Sequence, residues 1–130
     1  MSESTRRPRP EDALIQAVLD ARGLGRRVYT FGTFRLDVED QRVTTDDGVS
    51  LDLPPKEFET LRCLVEAGGR LVTKQELLDR VWTGVHVDEG TIAQRISALR
   101  KALGRDEYGR GYIETVPRLG YRFSPTVHLL

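Results

Sequence analysis

The hydrophobic period of this chain changes twice, and each change falls at a proline or a glycine. Over 28–53 apolar residues alternate with polar ones, as in Phe34, Leu36 and Val38 around Arg35 and Asp37. That is the period of a strand with one face buried. Further short runs, RVTT at 42–45 and VSLDL at 49–53, are joined by Asp46, Asp47 and Gly48, a hairpin signal. A small antiparallel sheet of three or four strands follows, including 28–31. Pro54 and Pro55 end it, and from there to Gly104 the apolar residues recur at intervals of three and four. After Gly104 the chain returns to two β-prone runs, YIETV and YRFS, around Pro117, Arg118, Leu119 and Gly120. This predicts a second hairpin with an arginine at its tip.

Three helices are predicted between the two β regions. KEFETLRCLVEA carries Phe58, Leu61, Leu64 and Val65 as an apolar stripe and stops at Gly68 and Gly69. Thr73 and Glu76 form a capping-box pattern ahead of Leu77, Leu78 and Val81, so a second helix runs from about 73 to 82. WTGVHVD is a loop, and Asp88 caps the third helix, 89–103. There Ile92, Ile96, Leu99 and Leu103 make the buried stripe. Its opposite face carries Gln94, Ser97, Ala98 and Lys101, with Arg95 and Arg100 flanking it. At the N-terminus a Ser/Arg/Pro stretch precedes EDALIQAVLDAR, which places Leu14, Ile15, Val18 and Leu19 on one side of a short amphipathic helix over 11–22. The order is helix, three strands, three helices, two strands, an α+β arrangement in three parts: an arm (1–27), a domain (28–124) and a tail (125–130).

Composition narrows the function. The chain has 130 residues, 38% hydrophobic and 31% charged, with 20 Lys plus Arg and 20 Asp plus Glu. Zero net charge argues against an unselective polycation. Resolved by segment, however, 28–69 holds four basic against nine acidic residues, and 90–124 holds seven basic against three acidic. The sum hides two oppositely charged regions, and a basic region on a soluble domain points to a nucleic-acid partner. The apolar runs are far shorter than the roughly 20 residues of a membrane helix, and MSESTRRPRP lacks the apolar core of a signal peptide. The chain reads as cytoplasmic, with no membrane partner. Cys63 is the single cysteine, and His86 and His128 have no ligand-like spacing, so no disulfide scaffold, metal site or cofactor is expected. Cys63 reads as a core position rather than a redox sensor.

Three short helices followed by a basic hairpin form the pattern of a winged helix-turn-helix, in which a helix fits the major groove and a hairpin reaches the minor groove. The stretches LPPKEFETLRCLVEAGGRLVTKQELLDRVW, VDEGTIAQRISALRKALG and YIETVPRLGYRF closely resemble the C-terminal effector domain of OmpR/PhoB-type bacterial regulators, including ToxR-like and CadC-like members. The resemblance spans about 29–124. It implies a fold with an N-terminal antiparallel sheet, a three-helix core and a β-hairpin wing, and a DNA-binding transcription regulator without catalytic activity. By resemblance, 89–103 is the recognition helix and 112–124 the minor-groove wing. Gln94 and Arg95 are base readers, and Ala98 meets a thymine methyl. Arg100, Lys101 and Arg122 contact phosphates, Arg100 bracing the scaffold in the alternative reading. Trp82 and Tyr121 match phosphate-contacting aromatics, Trp82 being also readable as core, and Thr115 lies where relatives touch the DNA backbone.

Departures from the family pattern are equally specific. Several relatives carry two arginines where this chain has Ser97 and Ala98, and an acidic residue where it has Ala93. Their wing arginine aligns with Pro117, leaving Arg118 displaced by one position. No receiver precedes the effector sequence, so phosphorylation by a sensor kinase is not the expected control, and the 11–22 helix is a candidate for dimer or partner contacts in its place. Loop 82–88, with His86, matches a loop that in some relatives meets RNA polymerase; the other reading of His86 is a solvated loop residue. The competing function is a winged-helix adaptor or antagonist that has lost DNA binding, which the acidic sheet and the Ser97 and Ala98 pair favour and the five arginines and lysines of 95–122 named above oppose. Enzymatic activity has no phosphate-binding loop, catalytic pairing or metal-ligand set to rest on.

Overall fold

Around Pro54 the backbone turns from sheet to helix. In the computed structural model, which describes residues 27–130 and Leu14, the sheet before this point contains β1 (Val28–Phe31), β2 (Phe34–Asp37), β3 (Arg42–Thr45) and β4 (Ser50–Leu51), each antiparallel to the next. The register sets Leu36 opposite Val43, and both side chains are buried. A further strand, β8 (His128–Leu129), pairs with β1, and the Leu130 amide donates to the Val28 carbonyl at 2.8 Å. Within 125–130, expected as a tail beyond the domain, β8 is thus one of the two edge strands of a sheet ordered β4-β3-β2-β1-β8. Of the helix expected over 11–22 only Leu14 is among the described residues, where it is helical and exposed; the rest lies outside them.

The helices are α1 (Pro55–Ala67), α2 (Lys74–Val81) and α3 (Glu89–Leu103). Pro55 sits in the first turn of α1, where its missing amide costs no hydrogen bond. Thr73 caps α2 reciprocally: its hydroxyl accepts from the Glu76 amide at 3.0 Å, and its own amide donates to Glu76 Oε1 at 3.3 Å. Asp88 Oδ1 accepts from the Thr91 amide at 3.0 Å and starts α3. One element was not expected. β5 (Val72–Thr73) lies between α1 and α2 and pairs with β7 (Gly120–Phe123), which also pairs with β6 (Ile113–Val116), giving a second sheet ordered β5-β7-β6. The wing is therefore hydrogen-bonded to the strand that leads into α2.

Apolar stripes of all three helices converge on one core. Leu61, Leu64, Leu77, Ile92, Ile96 and Leu99 are each at most 1% exposed. Between the two sheets stands an aromatic cluster, in which Phe31 meets Phe123 edge-on at 4.9 Å between ring centroids and Phe34 meets Tyr112 edge-on at 5.6 Å. Edge-to-face contacts of this kind add to the area they bury. The N-terminal sheet is thereby packed against the base of the wing.

Glu66 on α1 gathers the nearby arginines: Oε1 accepts from Arg80 Nη2 at 2.7 Å, Oε2 accepts from Arg62 Nε at 3.1 Å, and Arg27 Nη1 lies at 3.8 Å. Burial pushes its carboxyl up, but the hydrogen bonds from Arg80 and Arg62 outweigh that and leave its pKa below the ordinary glutamate value. A carboxylate held down in the folded state stabilises the fold above its unfolded pKa and stops doing so as the pH falls through the folded one. Between about pH 6 and about pH 3 the wild type is expected to lose more stability than Glu66→Gln; equal losses in urea titrations of the two proteins would contradict this assignment. A second test concerns Gly120, where a β-carbon would stand 2.0 Å from the Val72 carbonyl oxygen. No side chain fits there, so Gly120→Ala is expected to destabilise at or above the top of the about 1–3 kcal/mol range for overpacking, read as a lowered denaturation midpoint.

Candidate nucleic-acid interface

The side of α3 that faces solvent is fixed by the side that does not. Ile92, Ile96, Leu99 and Leu103 are buried, and the residues diametrically opposite on a helix of 3.6 residues per turn are Gly90, Gln94, Ser97 and Lys101, all exposed. Ala98 is half-buried beside them. Arg100 and Lys101 fall in the last turn, where the helix dipole favours cations. Gln94 and Lys101 make no side-chain hydrogen bond or ion pair with another described residue.

The flanking arginines are differently placed. Arg95, expected to stand beside Gln94 as a base reader, turns toward α1 instead, where Nη1 donates to Glu57 Oε1 at 2.9 Å. Glu57 is only 7% exposed, and a carboxylate at that depth is costly unless it is paired. The physical reason for the departure is thus a buried charge that requires the guanidinium. Arg100 braces the wing: Nη2 donates to Thr115 Oγ1 at 2.7 Å and to the Ile113 carbonyl at 3.1 Å. Of its two expected readings, bracing is the one that matches these bonds. The hydroxyl of Thr115 is correspondingly engaged as the acceptor.

Trp82 closes α2 and is 5% exposed, within the core cluster. Tyr121 on β7 is 8% exposed, between Val72 of β5 and Thr115 of β6. The wing is more open at its tip. Arg118 is exposed and held at φ 71°, a left-handed conformation unusual for a side chain of its size. Arg122 is exposed on β7 opposite Glu114. Neither arginine pairs with another described residue. The bonds from Arg100 to Thr115 and Ile113 bring the C-terminal half of α3 against the wing, and Lys101 lines the same cleft as Glu114 of β6.

Sequence reasoning passed over Glu57. Its signal was there: Glu57, Leu61 and Leu64 stand four and three residues apart on one stripe of α1, so a charge occupies an otherwise apolar, core-facing row. Lys56 was also unmarked; its Nζ donates to the Val81 carbonyl at 2.6 Å and satisfies the end of α2. Cys63 is buried, and burial pushes its thiol up, away from thiolate reactivity. Among the described residues no helix is long and apolar enough to cross a membrane.

A family model described as "Transcriptional regulatory protein, C terminal" matches residues 48–123. The chain belongs to this family. It is the OmpR/PhoB-type effector domain, and the matched residues run from the turn before β4 through β7, taking in all three helices and the wing. The transcriptional regulator HilA of Salmonella typhi is 38% identical over 99 residues, covering 76% of this chain and 17% of HilA. The phosphate regulon regulatory protein PhoB of Pseudomonas aeruginosa is 38% identical over 120 residues, covering 90% of this chain and 51% of PhoB. The chain thus spans about half of PhoB and less than a fifth of HilA.

Among solved structures, the DNA-binding domain of Escherichia coli CadC superposes with a TM-score of 0.70 at 30% identity, over 79% of this chain and 96% of that one. The Klebsiella pneumoniae RstA DNA-binding domain, in complex with the RstA box, gives 0.63 at 28% identity, over 74% and 95%. The fold is a winged helix-turn-helix of the α+β class. In this effector domain the Glu57 and Arg95 pair ties α3 to α1, so a double-mutant cycle with Glu57→Gln and Arg95→Gln is expected to give a coupling of about 1–3 kcal/mol in unfolding free energy. Purely additive losses would mean that the two side chains stabilise the domain independently.

Proposed function

We propose that this chain binds double-stranded DNA sequence-specifically and regulates transcription, with α3 in the major groove and the wing, 112–124, in the minor groove. The observation that carries the reading is the junction that Arg100 makes between α3 and the wing, which sets the two elements side by side. Gln94 and Lys101 on the helix and Arg118 and Arg122 on the wing are exposed and engaged by no other described residue, as a surface that exchanges water for phosphates and base edges requires. The CadC and RstA domains, described as DNA-binding, give the same fold independent support.

In this reading Gln94 meets a base edge and Ala98 offers a methyl-sized apolar contact, while Lys101 and Arg122 neutralise phosphates and Arg118 enters the minor groove. Trp82 and Tyr121 contribute through the little of their surface that is open, and Thr115 acts through Arg100. Arg95 serves by holding the helix in place. The acidic N-terminal sheet faces partners rather than phosphates. Two copies sit on adjacent half-sites, and loop 82–88, where Val85 is 57% exposed, is the surface for RNA polymerase. The setting is the cytoplasm.

Fluorescence anisotropy on labelled duplexes tests the reading. Log affinity should fall linearly with log salt, by roughly 0.9 for each phosphate neutralised. Lys101→Ala and Arg122→Ala should each weaken all duplexes alike and reduce that slope by about 1. Absence of binding to any pool of genomic fragments would instead favour a winged-helix adaptor that acts through protein contacts.

A further inference from the structure

Guanine in the major groove is read above all by a free guanidinium, whose two donors match O6 and N7, whereas adenine is read by a carboxamide, which accepts from N6 and donates to N7. The base-facing side of α3 must therefore be judged by which of its long side chains are at liberty. Arg95 and Arg100 both lie at the margins of that side and both are committed, one to buried Glu57 at 2.9 Å and the other to Thr115 Oγ1 at 2.7 Å and the Ile113 carbonyl at 3.1 Å. Releasing either to a base would strand partners within the fold, Glu57 at a cost that buried carboxylates make high.

What is left at the centre is a row of small residues around one amide. Gly90, Gln94, Ser97 and Lys101 follow one another along the exposed midline of the helix. A β-carbon at Gly90 would touch nothing but the Asp88 carboxylate, at 3.3 Å. With a glycine and a serine one turn to either side of it, the Gln94 carboxamide is the long group that reaches furthest from the middle of the helix. Lys101 stands two turns further along, in the last turn of the helix.

We infer that base reading by α3 is delegated to Gln94 and that this domain selects adenine, through N6 and N7, at the step where Gln94 meets the major groove, in place of an arginine-read guanine. The inference rests on the DNA-binding reading above and deepens it. It makes Gln94 the specificity-determining residue and Arg95 and Arg100 positioning residues.

The test is selection of duplexes from a random library by the full chain, followed by substitution of the selected adenine with 7-deazaadenine, which deletes N7 alone. The expected result is an enriched motif with a fixed adenine, a loss of about tenfold in affinity with 7-deazaadenine, and no further loss when the same substitution is presented to Gln94→Ala. Arg95→Lys, which keeps the charge beside Glu57, should leave the motif unchanged. Duplex binding with a fixed guanine that disappears in Arg95→Lys or Arg100→Lys overturns this inference and leaves the DNA-binding reading standing. A 7-deazaadenine penalty that persists undiminished in Gln94→Ala does the same. Failure to bind any duplex overturns both.

Discussion

Everything the exposed side of α3 offers is set by how firmly its other side is held. Ile92, Ile96, Leu99 and Leu103 are sunk into a core shared with α1, α2 and the wing strands, and each such side chain contributes roughly 1.5–3 kcal/mol by leaving water. Rotating the helix by even one position would expose part of this stripe. The burial therefore fixes the azimuth of the helix, and with it which four or five side chains face outward. The caps at Asp88 and Gly104 fix its length in the same way.

Much of this was legible in the chain itself. The third helix was bounded correctly from Asp88, the i, i+4, i+7, i+11 apolar spacing and Gly104, because all three signals are local. The capping box at Thr73 and Glu76 and the hairpin around Pro117 and Gly120 are local too. The two elements that escaped, β5 and β8, are two residues long each and have no period to detect. They exist because Val72 finds Tyr121 and Leu129 finds Tyr29 across the fold. The engagement of Arg95 escaped for the same reason: its partner is 38 residues away in sequence, and nothing in AQRI marks it.

The charge balance follows the same division between local and distant. Counting residues assigns the basic surplus to 90–124 and the acidic one to 28–69, but not every charge in those segments faces outward. Arg95 and Arg100 are bonded to groups of the domain itself, and Glu57 and Glu66 are met by arginines. The field at the surface is accordingly carried by fewer groups than the sequence counts, among them Lys101, Arg118 and Arg122. An acidic surplus in 28–69 and a basic one in 90–124 favour orientation over adhesion.

The close approach at Gly120 has a mechanical side. Val72 and Gly120 touch backbone to backbone, and the Lys74 amide donates to the Leu119 carbonyl at 3.1 Å, so the wing turn is joined to the start of α2 without a side chain between them. The wing and the helical core then behave as the two jaws of a gauge with a fixed gap. A duplex engaging both jaws has to bring its two grooves to that gap, and sequences differ in how cheaply they narrow a groove or bend. On the proposed reading, some of the discrimination falls on base pairs that no side chain of the domain touches.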